Sequence, residues 1–172
     1  MNDFERILTA LRSAEVSFVI VGGVAATVHG SARLTSDVDV VYERSLPNIE
    51  RLVRAMAPLA PYLRGAPSGL PFKFDVETIR RGLNFTLTTE AGPVDVLGEI
   101  VGIGDYDAVL AVSEDVLLYG AKYRCISLDA LIVAKRAAGR TKDLEAVAEL
   151  ELIRDEKADS TNQGSDGRPT LV

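Results

Sequence analysis

The chain has a single cysteine, Cys125, and no long apolar stretch. One cysteine excludes a disulfide within the chain and any zinc site built from several thiolates. No segment is apolar over the roughly 18 residues that indicate a membrane span, and the first residues lack the charged and then apolar order of a secretory signal. Internal repeats are also missing, which excludes a solenoid. We therefore expect a soluble cytoplasmic protein with no membrane partner.

The composition is that of a folded acidic domain. The 172 residues are 47% hydrophobic, which is enough for one domain with a substantial core. The net charge of −6 argues against a protein that coats nucleic acid by electrostatics alone. The charges are unevenly distributed, since residues 122–142 hold six basic side chains and one acidic one, whereas residues 143–159 hold seven acidic and two basic ones. The basic segment is compatible with a phosphate-rich substrate.

The most informative segment runs from Val19 to Val41. It joins an apolar strand to the pair Gly22-Gly23, a short helix and a second apolar strand that carries Asp37 and Asp39. Side chains alternate along a strand, so both carboxylates project to the same side. A divalent cation shared with substrate phosphates commonly compensates such a pair, although Asp-x-Asp also occurs on solvated strand edges. Glycines between a strand and a helix let backbone N–H groups approach a phosphate, which favours the metal and phosphate interpretation.

The spacing within this segment resembles the signature of the DNA polymerase β-like nucleotidyltransferase superfamily. Gly22-Gly23 is followed, after thirteen residues, by Asp37-Val38-Asp39-Val40. The stretch from His29 to Asp37 is similar to the small bacterial branch that includes the nucleotidyltransferase toxins of type IV toxin–antitoxin and abortive-infection systems, and the likeness extends from about Phe4 to Leu150. It implies an α/β (α+β) fold, the minimal polymerase-β-like nucleotidyltransferase fold, with a small mixed sheet, helices and a helical carboxy-terminal portion.

The resemblance also implies a third carboxylate on an adjacent strand. Asp95 lies in a predicted strand that follows a turn at Ala91-Gly92, and its neighbours Val94 and Val96 share the opposite face. We predict that Asp37, Asp39 and Asp95 are both the catalytic residues and the metal ligands, holding one or two Mg²⁺ ions. Glu99 lies on the same face as Asp95 and is the substitute if the register differs. The alternative for Asp95 is an ordinary exposed strand aspartate.

Basic residues near the carboxy terminus are candidates for binding the NTP. In the toxins that the chain resembles, such residues face the active site, where lysines and arginines neutralise the charge that develops during phosphoryl transfer. The predicted nucleotide-binding residues are Gly22, Gly23, Arg33, Thr35, Lys135, Arg140 and Lys142. The alternative for Lys135, Arg140 and Lys142 is a solvated helix face, and for Thr35 the capping of a turn. His29, the sole histidine, stays outside the catalytic set because a histidine at a helix end more often packs or caps.

Hydrophobic periodicity predicts the remaining elements. We expect helices over 3–14, 24–28, 46–59, 75–81, 128–138 and 142–154, strands over 17–21, 83–89 and 93–99, and a hairpin of 116–119 with 122–125. The proline- and glycine-rich segment 58–71 is predicted to be a loop. The nucleotidyltransferase domain is expected to span residues 1–154, and the polar residues 155–172 to form a flexible tail.

The predicted reaction moves an NMP from an NTP to an acceptor hydroxyl and releases pyrophosphate. The toxin resemblance favours a tRNA 3′ end or a protein as the acceptor and implies a cognate antitoxin as a partner. Two other functions stay open: modification of a small molecule such as an antibiotic, and an inactive nucleotide-binding interaction module of the same fold. A Rossmann-type cofactor site is disfavoured because the sequence lacks the Gly-x-Gly-x-x-Gly spacing.

Overall fold

A seven-stranded mixed sheet organises the computed structural model, which describes residues 3–163. The helices are α1 (Asp3–Ser13), α2 (Gly22–His29), α3 (Leu46–Met56), α4 (Val76–Arg81), α5 (Tyr106–Ala111), α6 (Leu128–Ala138) and α7 (Thr141–Gln163). The strands are β1 (Phe18–Val21), β2 (Val38–Tyr42), β3 (Tyr62–Leu63), β4 (Asn84–Thr89), β5 (Gly92–Leu97), β6 (Glu99–Ile100), β7 (Gly104–Asp105), β8 (Ser113–Leu118) and β9 (Ala121–Ile126). The expected α/β class is confirmed. Within 3–163, no helix combines the length and apolar character needed to cross a membrane.

The order of the strands places β2 at the centre of the sheet. The seven strands follow the order β3-β4-β5-β2-β1-β9-β8, and β6 pairs with β7 in a separate small sheet. Strand β2 pairs in parallel with β5 and antiparallel with β1. In the β2–β5 register Asp39 lies opposite Asp95 and Val40 opposite Val96. Because directly paired residues project to the same face of a sheet, this register brings two of the predicted catalytic carboxylates together.

The hydrophobic core covers the face of the sheet that lies opposite the carboxylates. Val38, Val40 and Tyr42 alternate with Asp39 along β2 and are fully buried. Helices α1 and α3 contact each other. Their apolar stripes, which include Ile7, Leu8, Leu11, Ile49, Leu52 and Met56, are buried in the same core cluster. Each such side chain contributes about 1.5–3 kcal/mol by leaving water, so the core fixes the orientation of the acidic face.

Several elements differ from the sequence prediction, and α5 and β7 were not predicted at all. Helix α2 begins at Gly22 instead of residue 24, so both glycines belong to its first turn. The predicted loop 58–71 contains the short edge strand β3, which pairs with β4. Helix α7 continues to Gln163, well past residue 154. Residues 155–161 are exposed, but Glu156, Lys157 and Ala158 among them favour a helix even without burial. Residues 164–172 of the predicted tail lie outside the described residues.

Candidate active site

The three aspartates converge on one side of the central strands. Asp37 immediately precedes β2, Asp39 lies within it and Asp95 lies in β5. One carboxylate oxygen from each lies within 4.8 Å of the others. All three side chains are partly buried. Carboxylate oxygens at this spacing form a donor set for a hard divalent cation such as Mg²⁺. Glu99, the predicted substitute for Asp95, lies in β6 with an exposed side chain and outside this group.

The surroundings of Asp39 disfavour its ionised form. Burial raises the pKa of Asp39 to about 6, and the negative charges of Asp37 and Asp95 add to this shift. The backbone N–H of Gly23, which donates to Asp39 Oδ2 at 3.3 Å, and the charge of Lys135 oppose it. Burial also raises the pKa of Asp95. The ionised cluster therefore carries an electrostatic cost that a cation placed among the three carboxylates would relieve.

Gly22 and Gly23 allow the first turn of α2 to approach the aspartates. Gly22 has a φ of +63°, and a Cβ atom on it would lie 2.1 Å from Asp39 Oδ2. A Cβ atom on Gly23 would lie 2.2 Å from Thr35 Oγ1. Val21, which precedes the helix, gives its N-terminus no side-chain cap. The positive end of the α2 dipole is thus directed into the acidic cluster, where a phosphate could also be bound.

Thr35 and Arg33 support the site from the loop that leads into β2. The Thr35 hydroxyl lies 3.1 Å from Asp37 Oδ1, to which it donates, and so orients that carboxylate. The Arg33 guanidinium forms ion pairs with Glu145 at 3.4 Å and with Glu149 at 3.2 Å, both on α7. Both residues line the cleft, but their observed contacts are to protein groups. Their predicted role in binding the nucleotide stays a prediction.

Two of the predicted cations, one on α6 and one between α6 and α7, contact the same acidic residue. Lys135 Nζ lies 3.7 Å from Asp143 Oδ1, and Arg140 Nε lies 2.5 Å from Asp143 Oδ2. The Asp143 side chain is only 5% exposed. Burial alone would raise the pKa of Asp143, but the hydrogen bond from Arg140 and the charges of Arg140 and Lys135 outweigh it and lower the pKa. Asp143, which no sequence pattern marked as a site residue, holds two of the predicted phosphate-binding cations in place.

These cations face the carboxylates across a single cleft. The charge of Lys135 opposes the rise in the pKa of Asp39, and that of Lys142 opposes, more weakly than burial, the rise in the pKa of Asp95. The cleft has a volume of about 610 Å³, within the range of small-molecule sites. Its lining includes Gly22, Gly23, Asp37, Asp39, Asp95, Lys135, Arg140 and Lys142. Apolar side chains at its edge include Leu34 and Val101, both exposed.

Arg64 is the second charged residue that the sequence analysis missed. It follows β3 directly, and its guanidinium bridges two of the aspartates. Arg64 Nη2 lies 2.8 Å from Asp95 Oδ1, and Arg64 Nη1 lies 3.4 Å from Asp37 Oδ2. The residue belongs to the segment predicted to be a loop, and no local pattern marks it. Only the pairing of β3 with β4 reveals its position.

The side chain of His29 contacts other protein groups and lies outside the cleft. Its side chain is buried, Nε2 lies 2.7 Å from the carbonyl oxygen of Ile126, and Nδ1 lies 3.9 Å from Glu114. An Nε2–H that donates to this carbonyl connects the end of α2 to the end of β9. His29 is not among the residues that line the cleft. The exclusion of His29 from the catalytic set stays a prediction.

Comparisons with known proteins identify the fold. The sequence matches no protein-family model and none of the curated proteins. The lincosamide antibiotic adenylyltransferase LnuA, solved with lincomycin bound, aligns with a TM-score of 0.59 and 14% identity over 88% of this chain and 96% of that chain. The solution structure of the antibiotic-resistance factor ANT(2'')-Ia aligns with a TM-score of 0.54 and 16% identity over 94% of this chain and 92% of that chain.

A second structure of ANT(2'')-Ia, in complex with adenylyl-2''-tobramycin, also aligns with this chain. It aligns with a TM-score of 0.54 and 15% identity over 92% of this chain and 96% of that chain. The alignments span nearly the whole length of both partners, so the likeness concerns the complete architecture and not only the central sheet. At such low identity it bears on the fold alone. The chain has the fold of these nucleotidyltransferases.

Proposed function

We propose that the protein is a metal-dependent nucleotidyltransferase that moves an NMP from an NTP to an acceptor hydroxyl. The observation that carries this proposal is the gathering of Asp37, Asp39 and Asp95, with oxygens within 4.8 Å of one another, beside the N-terminus of α2. A hard cation suits such a donor set, and a triphosphate suits the helix terminus. The fold shared with LnuA and ANT(2'')-Ia supports the same class of reaction. We place it in the cytoplasm, where NTPs and Mg²⁺ are both present.

In this proposal, separate residues of the chain bind the triphosphate and activate the acceptor hydroxyl. The first turn of α2 and the cations Lys135, Arg140 and Lys142 bind the triphosphate, and Asp95 orients the acceptor hydroxyl and accepts its proton. The acceptor oxygen forms a bond to the α-phosphorus while the bond between that phosphorus and the pyrophosphate oxygen breaks. Mg²⁺ held by the three carboxylates would supply charge neutralisation at the α-phosphate and at the leaving pyrophosphate.

The distribution of the basic residues favours a small acceptor over a tRNA. Of the six basic side chains in residues 122–142, only Lys135, Arg140 and Lys142 line the cleft. Arg136 pairs with Glu151, and Arg124 pairs with Asp115 within the β8–β9 hairpin; none of the four lines the cleft. A tRNA acceptor needs further cations for its phosphates beyond those that bind the NTP. The lincosamide and tobramycin named for the two similar structures are small molecules, in agreement with this preference.

A toxin that modifies a tRNA 3′ end or a protein, paired with a cognate antitoxin, is the second candidate. Its support is the likeness of residues 29–37 to the toxin branch. A protein acceptor presents a hydroxyl without a phosphate backbone, so it places less demand on basic surface than a tRNA does. Both candidate functions use the same three aspartates and differ only in the acceptor that binds at the open side of the cleft.

The experiment is a transfer assay with α-labelled NTPs. The purified protein is incubated with Mg²⁺ and each NTP in turn, together with total RNA, with lysate protein, or with a panel of lincosamides and aminoglycosides. We expect pyrophosphate release and label on one acceptor class. Asp37→Asn and Asp39→Asn should lower the rate about 100-fold or more, because each removes a ligand of the reactive centre. Asp107→Asn, at an exposed aspartate of α5, is the matched control and should keep the full rate.

The distribution of the label decides between the candidates. Label on a lincosamide or an aminoglycoside supports the small-molecule enzyme, and label on RNA or protein supports the toxin. If NTP binds but every acceptor stays unlabelled and no pyrophosphate appears, the protein is an inactive nucleotide-binding module and the proposed function is wrong.

A further inference from the structure

Arg64 approaches the acidic cluster from the edge of the sheet and is held there by backbone contacts. Its own N–H donates to the carbonyl oxygen of Thr86 at 3.0 Å, which continues the pairing of β3 with β4. Its side chain then lies across β4, where Nε and Nη2 donate to the carbonyl oxygen of Leu87 at 3.2 and 3.1 Å. Arginine has a planar fork of donors, so these bonds fix the orientation of the guanidinium as well as its position.

The remaining N–H groups of the guanidinium contact two of the carboxylates. Nη2 lies 2.8 Å from Asp95 Oδ1, and Nη1 lies 3.4 Å from Asp37 Oδ2. The Arg64 side chain is 31% exposed, so its charge is only partly screened by water. The guanidinium therefore contacts two of the three carboxylates that would receive a divalent cation, while Asp39 takes its nearest hydrogen bond from Gly23.

We propose that Arg64 is a positioning residue that holds Asp37 and Asp95 in the cleft and competes with a divalent cation for their oxygens. This inference rests on the metal site of the proposed function. A cation that binds Asp95 Oδ1 and Asp37 Oδ2 at the positions where the two guanidinium N–H groups now contact them displaces these groups. The bonds to Leu87 keep the displaced guanidinium beside the cluster, so the exchange is local and reversible. Arg64 thereby raises the cation concentration at which the cluster is filled.

A purely structural role for Arg64 makes a different prediction. If the ion pairs served only to attach β3 to the sheet, removing the guanidinium would lower stability and leave the affinity for metal unchanged or weakened through disorder. Competition predicts that stability and metal affinity change in opposite directions. The two roles are thus distinguished by measuring both quantities on the same variants.

The test measures Mn²⁺ binding in the absence of NTP, by the electron paramagnetic resonance signal of free Mn²⁺, together with the melting temperature in EDTA. Arg64→Met keeps the length of the side chain and removes its charge. We expect it to bind Mn²⁺ about five- to tenfold more tightly than the wild type, because one charge-assisted competitor is gone. In EDTA its melting temperature should fall, since two carboxylates lose their counter-charge, and Mn²⁺ should restore it. Arg81→Met, at an exposed arginine that pairs with Glu77, is the control and should match the wild type.

Equal or weaker Mn²⁺ binding by Arg64→Met overturns the inference. If that variant does not fold, Arg64→Lys replaces it, because lysine keeps the charge but not the fork of donors. Its Mn²⁺ affinity should exceed that of the wild type, and an equal or weaker affinity contradicts competition. The assay needs neither nucleotide nor acceptor, so tighter binding without any transferase activity upholds this inference while the proposed function fails. If Mn²⁺ does not bind to the wild type at all, both fail.

Discussion

At the scale of single residues, the cleft balances three carboxylates against cations from distant parts of the chain. Arg64 follows an edge strand, Lys135 lies on α6, and Arg140 lies between α6 and α7. Asp143 differs from Asp39 and Asp95, whose pKa values are raised, because its two cationic partners lower its pKa. It is therefore ionised and buried, and it acts as the anchor of the basic side of the cleft.

The buried position of Asp143 leads to a prediction about stability. Asp143→Asn should lower the free energy of unfolding by about 1–2 kcal/mol, because it leaves Lys135 without its buried counter-charge while Arg140 stays solvated. Asp155→Asn, on the same helix, removes an exposed pair with Arg154 and should change stability by less than about 0.5 kcal/mol. Urea denaturation of both variants measures the difference. Equal losses of stability in the two variants would show that the ion pairs of Asp143 contribute no more than an exposed pair does.

At the scale of elements, the site depends on how closely the first turn of α2 approaches β2. Val21, the last residue of β1, lies opposite Asp39 in the antiparallel register of β1 and β2. The chain must turn sharply after Val21 to begin a helix beside that carboxylate, and the positive φ of Gly22 provides this turn. The two glycines recognised in the sequence thus have an additional structural function, which is to leave room for Asp39 and Thr35.

Replacing Gly22 separates this steric role from backbone strain. Gly22→Ala and Gly120→Ala both place alanine at a positive φ, +63° and +72°, which costs each about 1–2 kcal/mol. At Gly120 nothing lies within 4 Å of the added Cβ atom, whereas at Gly22 it would meet the Asp39 carboxylate. We expect Gly120→Ala to lower the melting temperature only, and Gly22→Ala to lower it further and to abolish Mn²⁺ binding. Normal Mn²⁺ affinity in Gly22→Ala would show that Asp39 moves aside freely.

At the scale of the whole molecule, the cleft is formed by the central sheet on one side and the α6–α7 pair on the other. Glu149 on α7 ties the two sides together. It accepts hydrogen bonds from the Ser31 hydroxyl and the Ala32 N–H, each at 2.9 Å, and pairs with Arg33. The bond from the Ala32 N–H is the main reason that the pKa of Glu149 is lowered. Because this loop leads directly to Asp37, the last helix contributes to the position of the first carboxylate.

Loss of Glu149 should therefore loosen the loop that enters β2. Glu149→Ala is expected to raise the rate of amide hydrogen exchange about tenfold in a peptide covering residues 30–36, because the Ala32 N–H loses its acceptor. Glu145→Ala removes only an ion pair with Arg33 and should leave exchange nearly unchanged. Mass spectrometry of the exchanged peptides gives both values. Unchanged exchange in Glu149→Ala would mean that the loop is held by its own turn alone.

Much of the site could be predicted from the sequence because its signals are local. Alternation along β2 was sufficient to place Asp37 and Asp39 on one face, and the hairpin turn at Ala91-Gly92 indicated the strand of Asp95. The exposed end of α7 was harder to predict, since its polar composition resembles that of a tail and no buried stripe marks it as helical. The division between a domain and a tail at residue 154 stays a prediction.

By itself, the sequence determined the periodicity of the strands and helices, the common face of the aspartate pair and the glycine turn that precedes it, because each depends on residues close together in the chain. Only the tertiary structure decided that Asp39 lies opposite Asp95, that Arg64 reaches Asp95 across 31 positions, and that Glu149 holds Ala32 across 117. These contacts depend on which strands pair and which helices pack. That choice is made by burial of the whole core, so it leaves no local pattern at the residues concerned.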